Sequence, residues 1–415
     1  MKKGFVKRFS ASIIVVLLVT LSTFGTAGAA PASSSLPILM YHDLTTDPSR
    51  TNSMTITADR FRLDMEFLQE FGFTPLLPSE LVSITQNKQS LPEKLIMITF
   101  DDGYHSNYEY AYPTLLSTGM KATIAVVTNS IQLASTSDTP SNSLTWEEIQ
   151  EMVSSGIVEI GSHTYNLHNP QYHGNSAPDG INGVMRLPGE SQSAYRLRVG
   201  GDLQTSLQLI TQHSGQEKVL YFSYPFGAYD SWMQTLLNEN GIVVSTLTNP
   251  GKANPSSSLH QMPRYRITMQ QSVASLLRQT SVATPTVANV SVNGNTTVLP
   301  AYNIGGNNYV RVRDVALLLK DTASSFDVQW NNSLQQVELK SFSPYTPNGT
   351  ENKPMSSERR TVQSLIEPTA ADGQLHMIAA YNIDGYTYYK LRSLGDLCGF
   401  LVDWDAASQT VQVIA

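Results

Sequence analysis

The sequence predicts an α/β fold, a distorted or incomplete (β/α) barrel, followed by a smaller repeat module of mainly β or α+β character. Three observations carry this. Short apolar runs alternate with amphipathic helical patterns from Leu36 to about Thr280. The composition then shifts to Ser, Thr, Ala and Pro around Ser281–Asn289. Beyond that point the pattern turns to short strands and repeats itself.

The apolar runs are 36–41, 95–100, 122–127, 157–161, 219–224 and 242–247. Each is brief, rich in β-branched or aromatic residues and bounded by Gly, Pro or polar residues, so each reads as a buried strand. Between them, Phe61, Met65, Leu68 and Phe71 fall on one face of a helix over 58–72. Thr145 and Glu148 form a T-x-x-E capping box ahead of another helix. Strand and helix in alternation imply a parallel sheet with helices outside it. The stretch 169–188 is irregular, rich in Gly, Pro and Asn, and follows His168, so it is expected to border a substrate groove.

Residues 281–289 read as a linker. In the module at 290–415, Ala301-Tyr302-Asn303-Ile304 recurs as Ala380-Tyr381-Asn382-Ile383, and Phe326-Asp327-Val328-Gln329-Trp330 recurs as Phe400-Leu401-Val402-Asp403-Trp404. Each unit closes on an alternating strand, 336–339 or 410–414.

Hydrophobic residues make up 41% and charged ones 15% of the 415, which excludes a disordered chain. The formal net charge of -7 argues against a nucleic-acid partner and suits a neutral or cationic substrate. The lone Cys398 sits in an apolar stretch, so it reads as a buried thiol and no intramolecular disulfide can form. Lys2, Lys3, Lys7 and Arg8, an apolar 11–24 and Ala27-Gly28-Ala29 form an export signal over 1–30, with an uncleaved anchor as the alternative.

Two motifs carry chemistry. Thr99-Phe100-Asp101-Asp102-Gly103 ends a predicted strand, at the rim where such barrels place their sites. Alone it reads equally well as an Asp-Asp-Gly turn capping a helix. Ser162-His163-Thr164-Tyr165-Asn166-Leu167-His168 ends another strand with two histidines five residues apart. One Asp with two His makes a facial metal set with open positions.

With Phe222-Ser223-Tyr224-Pro225-Phe226-Gly227, these motifs resemble, in order, the polysaccharide deacetylase family (NodB homology, carbohydrate esterase family 4), over 36–280. Leu39-Met40-Tyr41-His42 is similar to its poly-N-acetylglucosamine deacetylase branch. The resemblance implies Asp102, His163 and His168 as ligands of a divalent metal, zinc with cobalt or nickel as alternatives. It implies Asp101 as general base, His42 as general acid and the Phe226 backbone N–H as oxyanion donor, with Tyr224 and Pro225 beside the substrate. His260, the other candidate acid, follows Leu259 directly and misses the family spacing by one. Ser223 stands where many members carry an Arg that steadies the base, and Arg264 or Arg266 offers a substitute. The repeat module is similar to the copper amine oxidase N-terminal-like domain. It holds no His or Cys cluster for copper, and is expected to be non-catalytic, with envelope attachment as its role. The implied protein is a secreted or envelope-associated hydrolase. Its substrate is an N-acetylated polysaccharide, poly-N-acetylglucosamine ahead of peptidoglycan or chitin-like polymers. The alternative is a catalytically impaired glycan-binding envelope protein.

Overall fold

The computed structural model describes residues 35–415, apart from 88, 90, 92–93, 138, 169–182, 279 and 334–335. The expected export signal and most of the irregular stretch after His168, with His173, lie outside the described residues.

All six expected barrel strands form. They are Leu36–Tyr41, Leu95–Phe100, Ala122–Val126, Val158–Ser162, Tyr221–Ser223 and Val244–Thr246, adjacent in that order and all parallel. The first three are buried throughout, as a sheet covered on both faces requires. One further stave comes from an irregular segment. Met262 bridges to Thr246 on one side, while Tyr265–Arg266 pairs in parallel with Leu39–Met40 on the other. The sheet thus curls round on itself through the segment that carries Arg264.

The helix Ala58–Glu70 packs Phe61, Met65 and Leu68 into the barrel core, and Thr57 caps its start. The capping box ahead of Trp146–Ser154 is present in both directions, with Glu148 N–H donating to Thr145 Oγ1 and Thr145 N–H to Glu148 Oε2. Because the strands are parallel, Tyr41, Phe100, Ser162 and Ser223 end on one rim. The residues that follow them are therefore brought together.

The C-terminal region forms one eleven-stranded sheet. Each unit contributes a long hairpin, a short strand, a helix and a closing hairpin. The closing strand Gln336–Ser341 pairs with Leu365–Ala371 of the second unit, and Thr410–Ile414 pairs with Thr280–Val292 of the first. This reciprocal exchange makes the two units one body. The helices Val312–Leu319 and Leu391–Cys398 share a core with Phe326, Phe400 and the buried Cys398.

The segment 281–289, expected as a linker, is instead part of the strand Thr280–Val292. Residues 281–283 pair with Arg360–Gln363 and 284–289 with Asn295–Ile304, while only 290–292 pair with Thr410–Ile414. Its small and β-branched residues suit a pleated strand as well as a linker, and tertiary pairing decides. The module is also fastened to the barrel. Glu70 accepts from the Tyr309 hydroxyl and lies 3.0 Å from Lys390 Nζ, and Phe71 packs against the sheet's tyrosine cluster.

Candidate active site

The strand register sets His42 beside Asp101, since Tyr41 pairs with Phe100 and Asp101 N–H donates to the Tyr41 carbonyl. Two neighbouring carboxylates then diverge. Asp102 takes a positive φ of 73° and Gly103 one of 79°. A Cβ at Gly103 would come within 2.9 Å of Val126 Cγ1, so glycine is required there. The turn sends Asp101 inward and Asp102 toward the cleft.

Asp101 is buried and fully engaged. Arg264 donates to it through both terminal nitrogens, at 2.8 and 2.6 Å, and Ser223 Oγ donates at 3.0 Å. Arg264 is itself fixed by Thr99, Ser223 and the Leu247 carbonyl. Burial pushes the Asp101 pKa up, but the Arg264 guanidinium outweighs it and holds the carboxyl well below the usual range. The missing Arg of the third motif is thus replaced from the closing stave, by Arg264 and not Arg266. Ser223, read as a departure, serves as a third anchor for Asp101.

Asp102 has the opposite environment. Its Oδ1 is buried and has no hydrogen-bond partner. Nε2 of His163 lies 3.5 Å from it and Nε2 of His168 lies 3.3 Å from it. Burial raises the Asp102 pKa, and the Asp101 charge adds to this. Burial lowers both histidines, so they stand neutral, the form that ligates metal. His163 Nδ1 lies 2.7 Å from the Ser223 carbonyl, which fixes Nδ1 as the donor and leaves Nε2 for a ligand. An orphaned carboxylate oxygen is costly unless a cation satisfies it. Asp102, His163 and His168 offer ligand atoms all within 4.8 Å of one another, so the set fits a single divalent ion.

The loop between the histidines is held by a residue the sequence reading missed. Asp202, on the helix Gly201–His213, accepts from the N–H groups of Tyr165 and Asn166, at 2.8 Å each. This clamp anchors the turn that brings His168 back to His163. No local motif marks Asp202, because its partners lie more than thirty residues away.

A cleft of about 470 Å³ opens over the site, lined by Asp102, Tyr104, Asn166, His168 and Phe226 among others. Phe226 has a φ of 57° and is 43% exposed, with its ring 4.7 Å from that of His168. The expectation for Tyr224 and Pro225 is corrected: both are buried. Tyr224 N–H is bonded to the Thr246 carbonyl, and its ring packs against Phe222 and Tyr229. They shape the turn that presents Phe226. His260 faces the Ser245 hydroxyl at 3.3 Å, while His42 is buried beside Asp101. His105 pairs with Glu148 at 3.0 Å, and His213 stacks on Trp146, outside the cluster.

The model of the polysaccharide deacetylase family matches residues 88–245, which include both chemistry-bearing motifs. The polysaccharide deacetylase YxkH of Bacillus subtilis is 32% identical over 235 residues, which cover 56% of this chain and 72% of that protein. The chain belongs to the polysaccharide deacetylase family. As a member, this deacetylase hydrolyses N-acetyl amide bonds. It is also similar to the poly-beta-1,6-N-acetyl-D-glucosamine N-deacetylase of Escherichia coli (strain K12). That match is 25% identical over 262 residues and covers 58% of this chain but only 38% of that protein. In fold, the deacetylase barrel is similar to a de-N-acetylase from Aggregatibacter actinomycetemcomitans, with a TM-score of 0.51 and 23% identity. This covers 59% of this chain and 98% of that one.

Proposed function

We propose that the chain is an exported, metal-dependent deacetylase acting on poly-β-1,6-linked N-acetylglucosamine outside the cytoplasm. The observation that carries this is the division of the two aspartates, one orphaned beside two neutral histidines and the other locked ionised by Arg264. The named activity of the Escherichia coli relative supports the polymer. The N-terminal segment supports export. The module at 290–415 is read as non-catalytic.

Asp102, His163 and His168 would hold the metal. A divalent ion there supplies Lewis acidity toward the acetamide carbonyl and raises the acidity of the attacking water. Asp101 accepts the water proton. Its depressed pKa makes it a weak base, but one that is charged at every working pH. Phe226, turned outward on its positive φ, offers its backbone N–H to the oxyanion that develops on the carbonyl oxygen. The departing amine needs a proton, because an amine anion is a very poor leaving group. His42 is placed to deliver it. Burial lowers its pKa to about 4, so it rests neutral and passes on to the amine the proton that Asp101 takes from the water. The alternative, an impaired glycan-binding protein, rested on the missing third-motif Arg and loses that support once Arg264 fills the role.

Acetate release should be measured side by side on poly-β-1,6-N-acetylglucosamine, peptidoglycan and chitin oligomers. The expected result is a kcat/KM at least about tenfold higher on the first polymer, a difference of roughly 1.4 kcal/mol in transition-state binding. Equal or faster release from either of the others contradicts the substrate assignment.

A further inference from the structure

In the module, Tyr388 and Tyr389 are buried and Tyr386 is half-buried. The exposed rings are those of Phe342 and of two tryptophans. Along the strand Phe326–Asn331, Phe326, Val328 and Trp330 share one face. The first two are buried, yet Trp330 is 46% exposed. In the second unit, Phe400 and Val402 lead by the same alternation to Trp404, which is 52% exposed. Both units therefore keep the largest apolar side chain at one equivalent place, and both keep it out of the core. Core packing does not account for a repeated tryptophan that the core leaves half uncovered, whereas contact with a partner does.

Trp330 lines a cleft of about 330 Å³. Ligand sites run from roughly 300 to 1,000 Å³, so this one suits a sugar ring or two. Arg313, Gln329, Asn348, Thr350 and Tyr386 bring polar groups to the same cleft. The Tyr386 ring is held by the Arg311 guanidinium, 5.0 Å from its centroid, and Arg311 is held by the buried Asp314 at 3.2 Å. An indole face beside planar amides, hydroxyls and a guanidinium is the chemistry that recognises a pyranose. The apolar C–H face of the sugar lies on the ring, while its hydroxyl and acetamide groups pair with the amides. Every residue lining the cleft belongs to 311–387, so it is separate from the Asp102 centre.

We propose that this cleft is a second glycan-binding site, which holds one segment of the hexosamine polymer whose other segments reach the barrel. The identity of the sugar rests on the proposed substrate; the stacking itself requires only a pyranose. Holding the polymer at the module raises its effective concentration at the active cleft.

The test uses the full chain and the variants Trp330→Ala and Asn348→Ala. Retention on insoluble poly-β-1,6-N-acetylglucosamine, chitin and peptidoglycan is measured by co-sedimentation, and kcat/KM on a short soluble oligomer by acetate release. Trp330→Ala should weaken retention on the polymer about tenfold, as loss of one stacking platform does. Asn348→Ala should weaken it severalfold, and both should turn over the short oligomer at the wild-type rate. Retention that depends on Trp330 only on chitin or peptidoglycan upholds the cleft and moves the substrate assignment. Retention unchanged in both variants on all three polymers overturns the cleft, even where acetate release persists. A parallel loss on the short oligomer overturns it too, because the effect then acts through the active site.

Discussion

Asp101→Asn should lower kcat by about 10² to 10⁴, the range that a positioned general base contributes, while the protein keeps its metal. The prediction follows from the separation of the two aspartates. Asp101 faces Arg264 and Ser223, whereas the Nε2 atoms of His163 and His168 face Asp102. The variant removes the charge proposed to take the water proton and no atom of the proposed ligand set. Metal content by elemental analysis, with kcat measured on the same sample, checks both halves. If metal disappears together with turnover, Asp101 is a ligand and the assigned roles are wrong.

Arg264→Met should destabilise the fold by about 3–5 kcal/mol, because it leaves the Asp101 charge buried without its partner. The double variant Asp101→Asn/Arg264→Met should recover part of that loss, since no unpaired charge remains. The pH dependence has a definite sign. Asp101 has a folded pKa below its ordinary value of 3.8, so the pair contributes stability above that pH and loses it as the pH falls. In Arg264→Met, burial acts without the guanidinium and the carboxyl pKa rises. The acid limb of the kcat/KM profile should therefore move to higher pH. Urea unfolding and the pH–rate profile measure the two effects. A stability change under about 1 kcal/mol with an unmoved acid limb contradicts the pairing.

The barrel was legible in the sequence because its strands are buried on both faces. A run such as Leu95–Phe100 is then apolar from end to end and needs no partner to be recognised. The clustering of Asp102, His163 and His168 was legible because they follow strand ends within two short motifs. What escaped depends on long-range geometry. The sequence offers Arg264 and Arg266 alike as partners of Asp101, and only the fold separates them: Arg264 reaches Asp101 from 163 positions away, on a stave with only two residues of regular strand. Asp202 serves the histidine loop from a neighbouring helix. Tyr224 lies inside a recognised motif, yet strand alternation turns it into the core. The linker reading failed at 281–289 for a related reason, because the pairing that makes it a strand comes from residues 295–304 and 360–363. The exposed tryptophans escaped because a repeated Trp at the end of an alternating strand reads as core until its burial is known.

The most direct test of the central claim is acetate release by the full chain before chelation, after chelation and after titration back with zinc, with bound metal measured at each step. The account predicts that release is lost with a single divalent ion per chain and returns in proportion to zinc bound. It also predicts that Asp102→Ala and His163→Ala bind no ion and recover nothing. A metal-free chain that releases acetate at the original rate would contradict it.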